Sequence, residues 1–558
     1  MIIGLDMGGT HVDAVIIDNG EITSSTKKPI HKTDLFQSIW TALQDILPND
    51  RSKIKQINLS TTISTNAIVE KNTSPVAMFI QSGPGLPHHF LACGDENIFL
   101  SGYIDHRGQT IKDLDLDEIK NSINHLKHKQ MSACGVVTKF STRNPNHEID
   151  IQNQLQTEFT HITMGHTLSG KLNFPRRVNT TYLNAAVYDT FQSFSQSIKQ
   201  AMQREGLENI PLYVLKADGG TMNIAGAEKM PVETILSGPA ASLMGMNAML
   251  GTKKDAILMD IGGTTTDIFF LAEGVPLFEP LGIQINEYKT LIRSVYSQSI
   301  GMGGDSYISE KDGKLMIGPE RLGPAMAFNG KHPTPTDAMV VLGHLNQGNK
   351  NKAYQGMQNL GKRFNLNAEE MAGKVLHSMA KMIKDKVNEL LNTINRQPVY
   401  TIQALLDDHK IEPQLIHIIG GPAKVLAPLL KKEFELPCHY PEKYDVANAV
   451  GAALSRTTAK ISLLADTAQQ TLSVPELGIY KKISRNYTLD HAREEALELL
   501  VEHGKKIGAT EENIETEIIE ESSFNMVRGF STDGCNIRIE AQIKPGLINK
   551  IGGLDQYA

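Results

Sequence analysis

An α/β protein with two related halves and a small α+β appendage is what the sequence predicts, on three observations. The opening stretch "MIIGLDMGGTHVDAVIID" (Met1–Asp18) runs from an apolar strand through Asp and a Gly-Gly-Thr turn into a second apolar strand. "LMDIGGTTTDIFFL" (Leu258–Leu271) repeats that pattern: Asp6, Gly8-Gly9-Thr10 and Asp13 are matched by Asp260, Gly262-Gly263-Thr264 and Asp267. A third glycine pair, in "IHIIGGPAKVLAPLL" (Ile416–Leu430), joins an apolar strand to a helix.

In the first copy, Ile2–Met7 and Val12–Asp18 read as strands, and Asn19-Gly20 is a type I′ hairpin signal into a third strand from Glu21. The chain therefore opens as a meander. A Walker A loop and a dinucleotide-binding fingerprint both require a helix straight after their glycines, so the meander argues against both.

The repeated pattern suits phosphate. Gly-Gly makes a tight turn whose unobstructed N–H groups can form an anion-binding nest. Thr adds a hydroxyl, and the Asp at the strand end can hold the water shell of a magnesium ion. Two such hairpins facing each other would grip a polyphosphate from both sides of a cleft.

The third element reads as a strand, then Gly420-Gly421-Pro422, then a short helix with Val425, Leu426, Leu429 and Leu430 on one face; Pro428 is expected to kink that helix or delay its start. Its glycines let a flat ring approach the backbone. A further helix follows at "YDVANAVGAAL" (Tyr444–Leu454).

Duplicated phosphate hairpins with a late Gly-Gly loop resemble the actin-like ATPase superfamily. More specifically, the chain resembles the nucleotide-binding A-type subunit of the hydantoinase/oxoprolinase family. The segments that carry this are "LSTTISTNAIVEK", "FPRRVNTTYLNAAV", "KADGGTMNIAGAEKMPVETILSGPAAS", "DIGGTTTDI", "SIGMGGDSYI" and "GPAMAFNGKHPTPTDAMVVLG", in the family's order over roughly residues 1–345. The Gly-Gly-Pro loop extends the match to about residue 455.

The resemblance implies a two-lobed actin-like ATPase fold of ribonuclease-H-like domains with ATP in the cleft. It implies ATP- and Mg2+-dependent activation of a cyclic amide or ketone by phosphorylation, often with a second, B-type subunit. Asp6 and Asp260 would be the magnesium-side carboxylates. Gly8, Gly9, Thr10, Gly262, Gly263, Thr264 and Thr265 would cradle phosphates. Gly303, Gly304 and Asp305, with Gly420, Gly421 and Pro422, would line the nucleoside. Asp13 and Asp267 would orient water or cap their own turns. His11 stands where the family usually has Phe, and either donates to the γ-phosphate or fills the position.

On the substrate side, "STTISTN" (Ser60–Asn66) is a hydroxyl cluster at a strand-to-helix junction, able to hold an oxyanion through Thr62 and Asn66 or to supply an N-cap at Thr65 or Asn66. Arg176 and Arg177 precede an expected helix at Thr181–Phe191; Arg177 would bind phosphate or a carboxylate, or form a solvated basic corner. Asp218-Gly219-Gly220 follows the strand "LYVL", at a switch-point position; the family usually has Asn at 218, which bears on substrate charge. The family's Ala-Asp-Pro-Gly-Pro-Ala-Cys loop is reduced here to Gly323-Pro324-Ala325 with Met326 at the Cys position. His88-His89 fall on opposite faces of any strand and lack a third ligand, and His161 and His166 read as surface or packing residues.

Three parts follow: residues 1–170 as a first lobe (hairpin core 1–75, insertion 76–170), 171–455 as a second lobe, and 456–558 as the appendage. Within the second lobe Ala368–Leu405 is helix-rich, its Met residues core filling. In the appendage Thr488 caps a helix over Leu489–Lys506, and two alternating strands follow. The 558 residues exceed one core, and a net charge of −7 without basic runs argues against nucleic acid. Four scattered cysteines, an opening strand interrupted by Asp6 and no apolar run of membrane-spanning length lead to the expectation of a cytoplasmic protein with free thiols. A small-molecule kinase of the same fold and a nucleotide-driven switch protein are the competing readings. The first would release a stable phosphorylated product, and the second would respond to a protein partner rather than a small molecule.

Overall fold

The computed structural model describes residues 1–552 except 10, 32–33, 127–128, 130, 132, 312, 397–409 and 529–530. Thr10 and the end of the helix-rich segment thus lie outside the described residues. The chain divides into two compact units. The first comprises Met1–Ala240, Glu279–Ser294 and Ala452–Ile548; the second comprises Ala241–Phe278, Val295–Gly451 and Asn549–Ala558.

The first unit is built on a six-stranded sheet in the order Thr221–Asn223, Leu212–Leu215, Gln56–Thr61, Ile2–Met7, His11–Asp18, Glu21–Pro29. The last three strands form the antiparallel meander, turned by Asn19 and Gly20, both at positive φ as the type I′ turn requires. Gln56–Thr61 and Leu212–Leu215 then add in parallel. One face is covered by Leu35–Ile46 and by the helix Phe174–Arg204, whose Phe191, Phe194 and Ile198 pack with Ile3, Leu5 and Ile57. Each such side chain, fully buried, contributes about 2–3 kcal/mol of apolar transfer.

That helix starts earlier than expected. Asn173 caps it and Pro175 occupies its first turn, so Arg176 and Arg177 lie inside it rather than ahead of it. Since Leu212–Leu215 pairs with Gln56–Thr61, residues 171–240 belong to the first unit, and the lobe boundary expected at 170 moves to about 240.

Residues 76–170 form a separate parallel sheet, ordered His161–Met164, Ala133–Thr138, Val76–Gln81, Glu96–Phe99. The C-terminal segment is a five-stranded antiparallel sheet with the helix Leu489–Lys506 packed on it. Thr488 caps that helix in a capping box with His491. This sheet joins the first unit through Thr221 N–H to Arg456 O and Thr458 N–H to Thr221 O.

The second unit repeats the first topology. Ala256–Ile261 and Thr266–Ala272 form the hairpin, and Leu415–Ile419 adds in parallel beside the first of them. Each unit thus carries a ribonuclease-H-like sheet of the kind found in actin-like ATPases. Its helices include Ala368–Ile394, with Met371 and Met379 in the core, and Ala423–Phe434. The latter contains Pro428 within its span, so the proline does not delay the start. Among the described residues, no helix is long and apolar enough to cross a membrane.

Candidate functional site

The repeat seen in the sequence persists in the hydrogen bonding. In the first hairpin Asp6 sits opposite Asp13, and Gly8 N–H donates to His11 O at 3.1 Å. In the second, Asp260 sits opposite Asp267, and Gly262 N–H donates to Thr265 O at 2.8 Å. Both turns leave their second glycine, Gly9 and Gly263, exposed.

In the first unit Asp6 and Asp13 are buried. Asp13 forms a cross-strand ion pair with Lys27 at 2.7 Å, a structural partner that the spacing alone did not announce. His11 is exposed at the turn. Thr62 is tied to the end of the first strand: its N–H and its Oγ1 both donate to Met7 O at 3.2 Å. Thr62 is itself the N-cap position of the short helix Ile63–Val69, so Thr65 and Asn66 lie inside the helix and cap nothing. Asn66 Nδ2 donates to Thr62 Oγ1 at 3.3 Å, and Thr65 Oγ1 accepts from Leu236 N–H. Thr62 and Asn66 are thereby brought together next to the first hairpin.

Two other substrate-side candidates are placed elsewhere. The Arg177 guanidinium is fully buried, donating to Lys171 O at 2.8 Å and Thr138 O at 3.2 Å. It is not a solvated corner. Asp218 is buried in an Asx turn: its Oδ1 accepts from Gly220 N–H at 2.9 Å, with Gly219 at φ 82°. Lys216 Nζ lies 3.3 Å from Oδ2, and Thr458 Oγ1 donates at 3.0 Å. Burial would raise the Asp218 carboxyl, but Lys216, Arg293 and these hydrogen bonds outweigh it and hold the group below its ordinary value. A Cβ on Gly220 would fall 2.0 Å from Thr458 Oγ1, so this turn is shaped to seat the C-terminal sheet.

In the second unit the structure gathers three segments that are far apart in sequence. Gly304 N–H donates to Gly262 O at 2.9 Å and Asp305 N–H to Gly263 O at 2.6 Å. A Cβ on Gly303 would lie 2.6 Å from Gly262 O, and one on Gly420 would lie 2.3 Å from Ile261 O and 2.8 Å from Asp260 Oδ1. Only glycine permits these approaches; Gly420 is also at φ 93°. Pro422 reaches within 3.4 Å of the same space at Gly304. Thr336 closes the group by donating its N–H to Gly304 O at 2.7 Å. Asp337, one residue on, accepts from Met326, Ala327 and Thr334 N–H and holds the reduced 323–334 loop in place.

Three side chains here escaped the sequence reading. Ser242 Oγ donates to Asp260 Oδ2 at 2.7 Å. Arg321 Nη2 lies 3.1 Å from Asp305 Oδ2, with Nη1 at 3.5 Å from Thr264 Oγ1. Lys27, noted above, is the third. None belongs to the glycine pattern, and each is brought in by tertiary folding. Burial, then the neighbouring Asp260 carboxylate, push Asp267 up to about 6.

These residues fit a magnesium nucleotide. Gly263, Thr264 and Thr265 are exposed at the turn, leaving its main chain accessible to phosphate oxygens. Asp260 is steadied by Ser242, and hydrated magnesium needs only one or two carboxylates besides phosphate. Among the described residues no group of three or more His, Cys, Asp or Glu forms a metal cluster of its own.

The hydantoinase/oxoprolinase family model matches residues 177–461, and the hydantoinase/oxoprolinase N-terminal region matches residues 2–159. The chain is 23% identical to the acetophenone carboxylase gamma subunit of Aromatoleum aromaticum over 62% of its own length and 53% of the relative's. It is also 23% identical to the caprolactamase subunit alpha of Pseudomonas jessenii, over 75% of its own length and 64% of the relative's. The chain thus spans about half to two-thirds of these relatives. A nucleotide-free structure of acetone carboxylase superposes with TM-score 0.71 at 14% identity, covering 97% of this chain and 87% of that one, which is a likeness of fold.

Proposed function

Because the chain belongs to the hydantoinase/oxoprolinase family, we propose that it is the nucleotide-binding component of an ATP-dependent enzyme activating a cyclic amide, or alternatively a ketone. The observation that carries this is the duplicated glycine hairpin with paired Asp residues, the second copy of which is packed against Gly303–Asp305 and Gly420–Pro422. Caprolactamase and two ketone carboxylases among the similar proteins agree with these substrate classes.

When bound, a magnesium nucleotide supplies an electrophilic phosphoryl group, which makes a carbonyl oxygen's carbon open to attack by water or by a partner subunit. The chain's own residues bind and orient. The N–H groups of Gly8 and Gly262 close their own turns on His11 O and Thr265 O, so the exposed main chain at Gly9 and at Gly263 would offer the donors to phosphate oxygens. Asp6 and Asp260 would be the carboxylates that hold the magnesium-side water, and Ser242 orients the Asp260 carboxylate by its hydrogen bond. Asp267, poised at about 6, can hold or release a proton near neutral pH. Thr62 and Asn66 orient the carbonyl substrate beside the first hairpin. A B-type second subunit is included in the proposal, since the acetophenone carboxylase and caprolactamase relatives are each a subunit by name.

The test is magnesium-dependent ATP turnover against a panel of lactams, hydantoins and ketones, with and without a candidate B-type subunit. Stimulation by one of these compounds with ring opening or carboxylation is expected. A stable phosphorylated small molecule as end product would instead make the protein a kinase, and stimulation by protein alone would make it a switch.

A further inference from the structure

The first unit holds a cleft of about 910 Å3 that shares no lining residue with either glycine hairpin. It is walled by the edge strand His161–Met164, the helices Phe174–Arg204 and Leu489–Lys506, and the segments 223–230 and 476–479. All of these belong to the first unit. The volume lies in the range of small-molecule sites and far above the voids of a packed core.

Hydrogen bonds fix the walls before any ligand arrives. Asn223 N–H donates to Ile507 O at 3.0 Å and its Nδ2 to Lys506 O at 3.1 Å, which anchors the end of the C-terminal helix. Glu476 accepts from Gly170 N–H at 2.7 Å, from Ser462 N–H at 3.1 Å and from Ser462 Oγ at 3.0 Å. His161 stacks on Tyr188 with ring centroids 3.4 Å apart, its Nε2 lying 2.8 Å from Thr163 Oγ1. A preformed cleft binds without the cost of ordering its walls.

The chemistry of the lining selects the ligand. Met164, Leu168, Met230, Leu477, Ile479 and Leu499 give the cleft an apolar surface. Its two imidazoles add no positive charge near neutral pH. Burial pulls His161 down to about 4, and burial, then Lys216 and Lys506, hold His503 below its ordinary value. Two of the acids are already engaged, Glu476 as above and Glu228 by Lys199 and Ser195 Oγ. Lys229 and Lys506 remain, exposed and without an ion-pair partner among the described residues, against Glu502 alone. The cleft therefore has one positive charge in excess, carried by exposed lysines beside an apolar lining.

We propose that this cleft binds a small organic molecule with an apolar body and a single carboxylate, the body against the apolar lining and the carboxylate beside Lys229 and Lys506. The site also excludes Thr62 and Asn66, so it is a second site and does not depend on the nucleotide reading. It gives the C-terminal segment a part in binding, since residues 476–507 supply much of the wall.

The test is isothermal titration calorimetry of the full chain, without nucleotide, with sodium hexanoate, sodium acetate, 1-hexanol and hexylammonium chloride at matched ionic strength and neutral pH. Saturable binding of hexanoate, about ten-fold tighter than that of the other three, is expected. Lys229→Met and Lys506→Met should each weaken hexanoate binding about three-fold, as loss of one exposed ion pair does. Glu502→Gln should tighten it about two-fold, because it removes the opposing charge. All three positions are exposed, so the variants should unfold thermally like the parent. Hexanol binding as tightly as hexanoate, hexylammonium binding more tightly, no saturable hexanoate binding, or hexanoate binding unmoved by all three variants would each overturn the site.

Discussion

Arg321 stands over the second hairpin with its guanidinium 3.1 Å from Asp305, the residue whose N–H is tied to Gly263. Two-fifths of the arginine side chain is exposed, so the pair contributes under about 1 kcal/mol to folding. Its larger effect should be on phosphate, because without the guanidinium the Asp305 carboxylate faces the turn uncompensated. Arg321→Met is expected to leave thermal stability unchanged and to weaken magnesium-ATP binding about ten-fold by calorimetry. Adding Asp305→Asn should restore part of that loss. Equal ATP affinity in the single variant would remove Arg321 from the site.

Gly9 offers a cleaner probe of the first hairpin. A Cβ placed there meets nothing within 4 Å, and its φ is not left-handed. Gly9→Ala should therefore fold as stably as the parent. If the turn receives phosphate, the added methyl occupies that space, and ATP affinity should fall by about ten-fold or more. Unchanged stability with unchanged affinity would make this turn a connector only.

Asp267 makes a prediction in pH. Its native value of about 6 exceeds the ordinary 3.8, so the folded state binds the extra proton between those values. Stability from this residue is present below about pH 4 and lost as pH rises through 6, by up to about 3 kcal/mol. Asp267→Asn should thus be more stable than the parent at pH 8 in chelator, and the difference should shrink toward pH 4. Urea titrations at the two pH values measure it; a pH-independent difference would place the cause elsewhere.

Why some of this was legible in the sequence follows from locality. The hairpins were, because an Asp-x-Gly-Gly-Thr turn between apolar strands is encoded within a dozen residues; Asn19-Gly20 and the Thr488 cap are equally local. The start of the helix at Phe174 is equally local, marked by Asn173 at the cap and Pro175 in the first turn, so the later start expected at Thr181 has no physical basis in the Arg pair. Ser242, Arg321 and Lys27 were invisible because single common residues acquire a role only through contacts 14 to 57 positions away. The unit boundary was missed for the same reason: parallel pairing of Leu212–Leu215 with Gln56–Thr61 leaves no mark in either strand.

Asp218 shows how a position read as substrate-facing acquires a structural part. Its carboxylate is enclosed with Lys216, accepts from Gly220 and Thr458, and is held below its ordinary value. Asp218→Asn preserves the shape and the turn but leaves the buried Lys216 ammonium without this counter-charge. A loss of about 3 kcal/mol is expected in urea titrations at pH 7. Because the native value is depressed, the parent's advantage is present above about pH 4 and should fade as pH falls below it. Lys216→Met in the Asp218→Asn background should recover much of the loss, since removing both charges removes the uncompensated one. Substrate preference should be the same in all three proteins. A change of preference without a change of stability would return Asp218 to the substrate side.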